Sequence, residues 1–158
     1  MSMQSATADA ARHPGELSAE ELAAWGGLLR THARLVRELD AELQAVHGLP
    51  LSSYEVLLRL TRASDGQMRM SELADAVLLS RSGLTRLVDR LERDRLVERR
   101  ACSNDARGQW AVITQAGRRA FRDAQPTHLA GVRRRFLARL SSEDMSELGR
   151  IWEQLLRA

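Results

Sequence analysis

The chain has 158 residues, 44% of them apolar and 28% charged, with a formal net charge of +3. That length and apolar fraction support one folded domain with helical additions and exclude wholesale disorder. A single cysteine, Cys102, excludes an intrachain disulfide and a Cys-rich metal site, which fits a reducing cytoplasm, and no apolar run approaches the ~18 residues of a membrane span.

Residues 1–17 lack the apolar core of a signal peptide and read as a flexible tail. Ser18-Ala-Glu-Glu21 then has the spacing of a capping box. Apolar residues recur helically at Leu22, Trp25, Leu28, Leu29, Leu35, Val36, Leu39, Leu43 and Val46, ending at His47-Gly48-Leu49-Pro50. This helix, over 18–47, is long for a small domain. Its stripe extends beyond what one subunit covers, which predicts a dimer surface.

Ser52-Ser-Tyr-Glu55 predicts a second capping box, opening a short helix through Leu57, Leu58 and Leu60 that Ala63-Ser-Asp-Gly66 breaks. Arg69 to Val77 is a third short helix, with Met70, Leu73, Ala74 and Val77 inward. Leu78 and Leu79 form a turn, and Ser80 caps a fourth helix with the stripe Leu84, Leu87, Val88 and Leu91. Two short helices, a tight turn and a basic second helix make a helix-turn-helix pattern. Leu96–Arg99 and Trp110–Ile113 predict brief strands around the polar tip Asn104–Gly108, a "wing". Thr114 caps the next helix, in which Pro126 predicts a kink or break near Ala124 or Gln125. Ser141-Ser-Glu-Asp144 caps a last helix with Met145, Leu148, Ile151, Trp152, Leu155 and Leu156 as its apolar face. The expected fold is mainly α with a small β-hairpin: a winged helix-turn-helix core over 51–114, flanked by dimerisation helices over 18–47 and 115–158.

Charge is concentrated. Residues 80–107 hold eight arginines against five acids, and residues 118–139 hold seven against Asp123 alone. All 24 basic residues are arginine, so every basic contact is a planar guanidinium suited to bidentate guanine or phosphate recognition. A basic helix followed by an Arg-tipped hairpin can occupy a major groove and the adjacent minor groove together. The candidate helix contacts are Arg81, Ser82, Gly83, Thr85 and Arg86, with Arg90 facing a phosphate or Asp94. On the wing, Arg107 is placed to enter a narrow minor groove with Asp105 orienting it, while Arg99 and Arg100 meet phosphates. Trp25, His32, Tyr54 and Trp110 are candidates for a crevice that takes an aromatic or phenolic effector, although Trp25 and His32 also suit a packed seam. The four histidines are scattered, and no HExxH, CxxC, GxSxG or phosphate loop occurs, so no enzyme, cofactor or metal site is expected.

Three stretches, SELADAVLLSRSGLTRLVDRLE, LVERR and DARGQWAVITQAG, resemble the MarR family of winged-helix transcriptional regulators, with the element order matching over roughly 20–157. The last carries the family's Asp-x-Arg wing and Ile-Thr-x-x-Gly. The resemblance implies a homodimer on a pseudopalindromic double-stranded DNA operator, most often a repressor, and often a small-molecule effector between the dimerisation and DNA-binding parts. One departure is Arg95, where the family usually has Gly; a non-Gly residue in a left-handed turn there costs on the order of 1 kcal/mol. Two alternatives stand beside this reading. One is a redox-responsive regulator acting through Cys102, whose cationic neighbours Arg99 and Arg100 favour a thiolate. The other is a winged-helix module that binds protein instead of DNA.

Overall fold

The computed structural model describes residues 15–102 and 105–157, with the side chains of residues 102–107 outside that description. The described residues divide into two compact units between Arg34 and Leu35, and the first helix, α1 (Ala19–His47), runs through the division. In the first unit the predicted capping box is present: Glu21 N donates to Ser18 Oγ at 3.2 Å and Ser18 N to Glu21 Oε2 at 2.7 Å. Leu22, Trp25, Leu28 and Leu29 of this helix are exposed.

The second unit continues α1 and adds α2 (Leu51–Arg62), a 3₁₀ turn (Ser64–Gly66), β1 (Gln67–Arg69), α3 (Met70–Ala76), α4 (Arg81–Arg93), β2 (Val97–Cys102), β3 (Asp105–Ile113), α5 (Gln115–Arg135), a second 3₁₀ turn (Leu137–Arg139) and α6 (Ser142–Leu156). The strands form one antiparallel sheet in the order β1-β3-β2. Its core joins Leu39 and Leu43 of α1, Tyr54, Val56, Leu57 and Leu60 of α2, Leu73 of α3, the Leu84-Leu87-Val88-Leu91 stripe of α4, Val97, Ala111, Ile113 and Phe121.

Local structure departs from the sequence reading in four places. The hairpin strands are longer than expected and carry an irregularity between Ala101 and Cys102. β1 is an added third strand. No capping box opens α2: Pro50 is its N-cap, Ser52 and Ser53 lie inside the helix, and the Leu51 N–H donates instead to Asp40 Oδ1 of α1 at 2.8 Å. An orphan helix donor is thus satisfied across tertiary structure, a partner no local motif announces. Finally, α5 continues unbroken through Pro126. Packing holds it on both sides: Phe121 and Ala124 are buried before the proline, and Gly131 after it lies so close to α1 that a Cβ would sit 2.8 Å from Leu39 Cδ2. Arg135 bonds Glu42 and reaches Glu38 at 3.2 Å, and Arg134 reaches Glu42 at 2.7 Å.

Among the described residues three non-glycines lie in the left-handed region, Asp65 in the first 3₁₀ turn and two that end helices. Leu78 (φ 56°) ends α3 and Arg95 (φ 58°) ends α4. Each sits in a paired-bond C-terminal motif: Leu79 N to Ala74 O at 3.0 Å with Leu78 N to Asp75 O at 3.3 Å, and Leu96 N to Leu91 O at 2.8 Å with Arg95 N to Glu92 O at 2.9 Å. The hydrogen bonds of the motif offset the local strain.

Candidate nucleic-acid interface

Ser80 positions the site. Its hydroxyl accepts from Gly83 N at 3.1 Å and starts α4. Burial of Leu84, Leu87, Val88 and Leu91 on one face then forces the opposite face outward, leaving Arg81, Ser82, Thr85 and Arg86 exposed. Gly83 is half-buried and serves the cap, since a Cβ there would stand 3.1 Å from Ser80 Oγ. Thr85 Oγ1 donates back to Arg81 O at 2.9 Å.

Arg90 does not join this face. One turn after Arg86 and at the edge of the exposed face, it is half-buried, and Nη2 reaches Ser52 Oγ and Ser53 Oγ at 3.4 and 3.3 Å. Its Nε is buried without a partner among the described residues. The expected phosphate or Asp94 contact of Arg90 is therefore replaced by a strut to α2.

Arg99 also turns inward. Its side chain is only 17% exposed; it meets Asp89 at 2.8 Å, bonds Glu92, and donates to Thr85 O at 3.1 Å. The Arg99 N–H adds a 2.8 Å bond to Glu92 Oε1. Two carboxylates thus neutralise the guanidinium that was expected to meet phosphate, and the contact ties β2 to α4. Arg100 remains exposed and pairs with Glu98 at 2.5 Å. The side chains of Asp105, Arg107 and Cys102 lie outside the described residues; the backbone of Asp105–Arg107 belongs to β3.

The hairpin base gives Ile-Thr-x-x-Gly a physical reason. Thr114 Oγ1 lies 2.8 Å from Arg95 O and 3.1 Å from Leu96 O, and accepts from Gly117 N at 3.0 Å. A Cβ on Gly117 would run into the Leu96 carbonyl oxygen. One hydroxyl and one missing side chain therefore clamp the start of α5 to the turn after α4.

The four crevice candidates are divided between the two units. Trp25 and His32 belong to the first unit. Tyr54 is a core residue, its ring 5.3 Å from Phe121 and 4.5 Å from His128. Burial pushes the Tyr54 phenol above its ordinary pKa and the His128 imidazole below its own. Trp110 lies in β3 beneath the Arg69 guanidinium. Two clefts appear elsewhere in the second unit. One of about 360 Å³ separates the starts of α3 and α4 from β3. Another of about 420 Å³ is bordered by His47, Ser53, Asp94, Leu96 and Asp123. Beside it, His47 Nε2 bonds Thr127 Oγ1 at 2.8 Å. Among the described residues no group of three or more His, Cys, Asp or Glu could hold a metal, and no helix is long and apolar enough to cross a membrane.

The sequence reading missed β1, the inward role of Arg99 and the placement of Arg69. Three residues are too few for periodicity, but Gln67-Met-Arg69 directly after Asp65-Gly66 was the available signal of an extended segment.

Comparison with known proteins agrees with this architecture. A family model described as "MarR family" matches residues 47–108. The HTH-type transcriptional regulator MhqR of Bacillus subtilis is 33% identical over 86 residues, which are 54% of this chain and only 58% of that protein. The crystal structure of AbsC, a MarR family transcriptional regulator from Streptomyces coelicolor, superposes with a TM-score of 0.83 at 36% identity, covering 90% of this chain and 95% of that one. Sco3205, a MarR family transcriptional regulator from the same organism whose crystal structure is in complex with DNA, gives 0.85 at 34% identity over 90% of both chains. With its winged core, its hairpin clamp and two structures of this kind matched over nine-tenths of its length, the chain belongs to the MarR family of transcriptional regulators.

Proposed function

We propose that the protein is a homodimeric, sequence-specific DNA-binding repressor, released from its operator by a small molecule. The observation that carries this reading is the face of Arg81, Ser82, Thr85 and Arg86 on the first turns of α4, beside a hairpin tied to that helix by Arg99. The N-terminal end of such a helix suits base edges in a major groove, and Arg107, by sequence, suits the flanking minor groove. The DNA-bound state of Sco3205 supports the same use here. Residues 51–114 form the DNA-binding part in this reading, and 18–47 with 115–158 the dimerisation part. Support for the dimer is chemical: α6 buries none of its residues within one chain and presents Met145, Trp152, Leu155 and Leu156 to solvent. For the effector, the cleft beside His47 abuts Asp94 and Leu96 at the end of α4, where an occupant would bear on the recognition helix.

The test is fluorescence anisotropy on the DNA upstream of the protein's own gene and on duplexes selected from a randomised library, at two salt concentrations. Specific, salt-sensitive binding that weakens at least tenfold (about 1.4 kcal/mol) in Arg86→Ala and Arg107→Ala is the expected result. Failure to select any sequence would instead favour a protein-binding module.

A further inference from the structure

Arg69 ends the edge strand β1 directly opposite Trp110 of β3. Directly opposed residues of an antiparallel pair project from the same face, and here the Arg69 guanidinium carbon stands 5.4 Å from the centre of the Trp110 ring. At that distance the ring's negative face attracts the cation. Arg69 also borders the cleft between α4 and β3, together with Ser71, Arg81, Thr85 and Gln109. Five donor-bearing side chains among the described residues thus border a space of about 360 Å³, and the Glu72 carboxylate beside it accepts from the Arg69 backbone N–H at 3.3 Å.

The major and minor grooves of a duplex are separated by one sugar–phosphate strand. Protein elements that occupy both grooves at once must straddle that strand, and the cleft lies between the two elements in question. Resting on the DNA-binding reading above, we propose that this cleft seats the phosphodiester between the grooves, with Arg69 as its main cation and Trp110 as the platform that holds the guanidinium in place. Ser71 and Gln109 contribute neutral donors. A phosphate seat sets register and adds affinity without reading sequence. Arg69 therefore acts equally on every duplex, whereas Arg81 and Arg86 discriminate among them.

The test compares wild type, Arg69→Gln, Arg69→Lys and Trp110→Leu on a wild-type-selected operator and on a random duplex, across a salt series. Neutralising one phosphate contact lowers the slope of log affinity against log salt by about 0.9, so the advantage of wild type over Arg69→Gln narrows about threefold between roughly 50 and 200 mM salt. The operator-to-random ratio stays unchanged in Arg69→Gln. Arg69→Lys restores the slope, and Trp110→Leu weakens both duplexes alike. Each variant's unfolding midpoint is measured alongside, so a misfolded variant is recognised by its lowered midpoint and the Gln–Lys pair decides. A wild-type slope in a folded Arg69→Gln, or a loss confined to the operator, overturns the phosphate seat while leaving the regulator intact. Wild type that binds no duplex overturns both.

Discussion

α4 and α6 are amphipathic helices of 13 and 15 residues, yet one chain completes only the first. α4 buries its whole apolar stripe and is tied to the hairpin through Arg99 and to α2 through Arg90. α6 is capped more fully than α4, by a capping box at Ser141 with Asp144 N donating to Ser141 Oγ at 3.1 Å, but has no buried residue; Trp152 is 37% exposed and Leu156 84%. Apolar periodicity states which residues need cover. It does not state whether the same chain supplies it.

The largest effect that can break this comparison comes from α6. Trp152→Ala combined with Leu155→Asp is expected to weaken self-association at least a hundredfold (about 3 kcal/mol), read by sedimentation equilibrium, while the α4-centred unit keeps its fold. A wild type that is monomeric at micromolar concentration would remove the contrast. Next is Gly117→Ala, whose Cβ meets a backbone oxygen that cannot swing aside; chemical denaturation should show a loss of about 2–3 kcal/mol. Arg99→Met leaves Asp89 and Glu92 facing each other without their cation. The partly exposed site limits the cost to about 1–2 kcal/mol, with a larger proportional loss of DNA affinity as the hairpin comes free of α4. Arg95→Gly acts in the other direction: relief at φ 58° should raise stability by up to about 0.5 kcal/mol in thermal unfolding, net of the entropy a glycine adds to the unfolded chain.

The smallest effect is in the pH profile. Burial holds the His128 imidazole below its ordinary pKa, so the unfolded chain takes up that proton first as pH falls below about 6.5. Stability present above that pH is lost as the pH falls toward the folded value. At Glu42 burial pushes the carboxyl up, but hydrogen bonds from Arg135 and Arg134 outweigh it and the net shift is downward. Its contribution is held above about pH 4.3 and lost below it. His128→Phe should remove the upper limb of the acid-stability curve and leave the lower; an unchanged curve would contradict the assignment.

Much of this fold was legible because its signals are local. The Ser18, Ser80, Thr114 and Ser141 caps and the Leu84–Leu91 stripe depend on spacings within one or two helical turns. The unusual turn at Arg95 was visible as a missing glycine. What escaped depends on partners far along the chain. Asp40 caps a helix 11 residues on, Arg90 reaches back 37 residues to Ser53, and Pro126 is carried by packing against α1 and the core. The same limit applies to the site. A run of arginines predicts charge, but only the fold decides that Arg99 is spent on Asp89 and Glu92 while Arg81 and Arg86 face outward.

The central claim is that α4 and the hairpin act as one DNA-reading unit, present twice in a dimer. Hydroxyl-radical footprinting on a selected operator tests it most directly. Two protected half-sites are expected with centres about 34 Å apart, each extending from a major groove into its flanking minor groove. A single protected patch, or protection of the major grooves that is unchanged in its flanks when Arg107 is replaced by alanine, would contradict it.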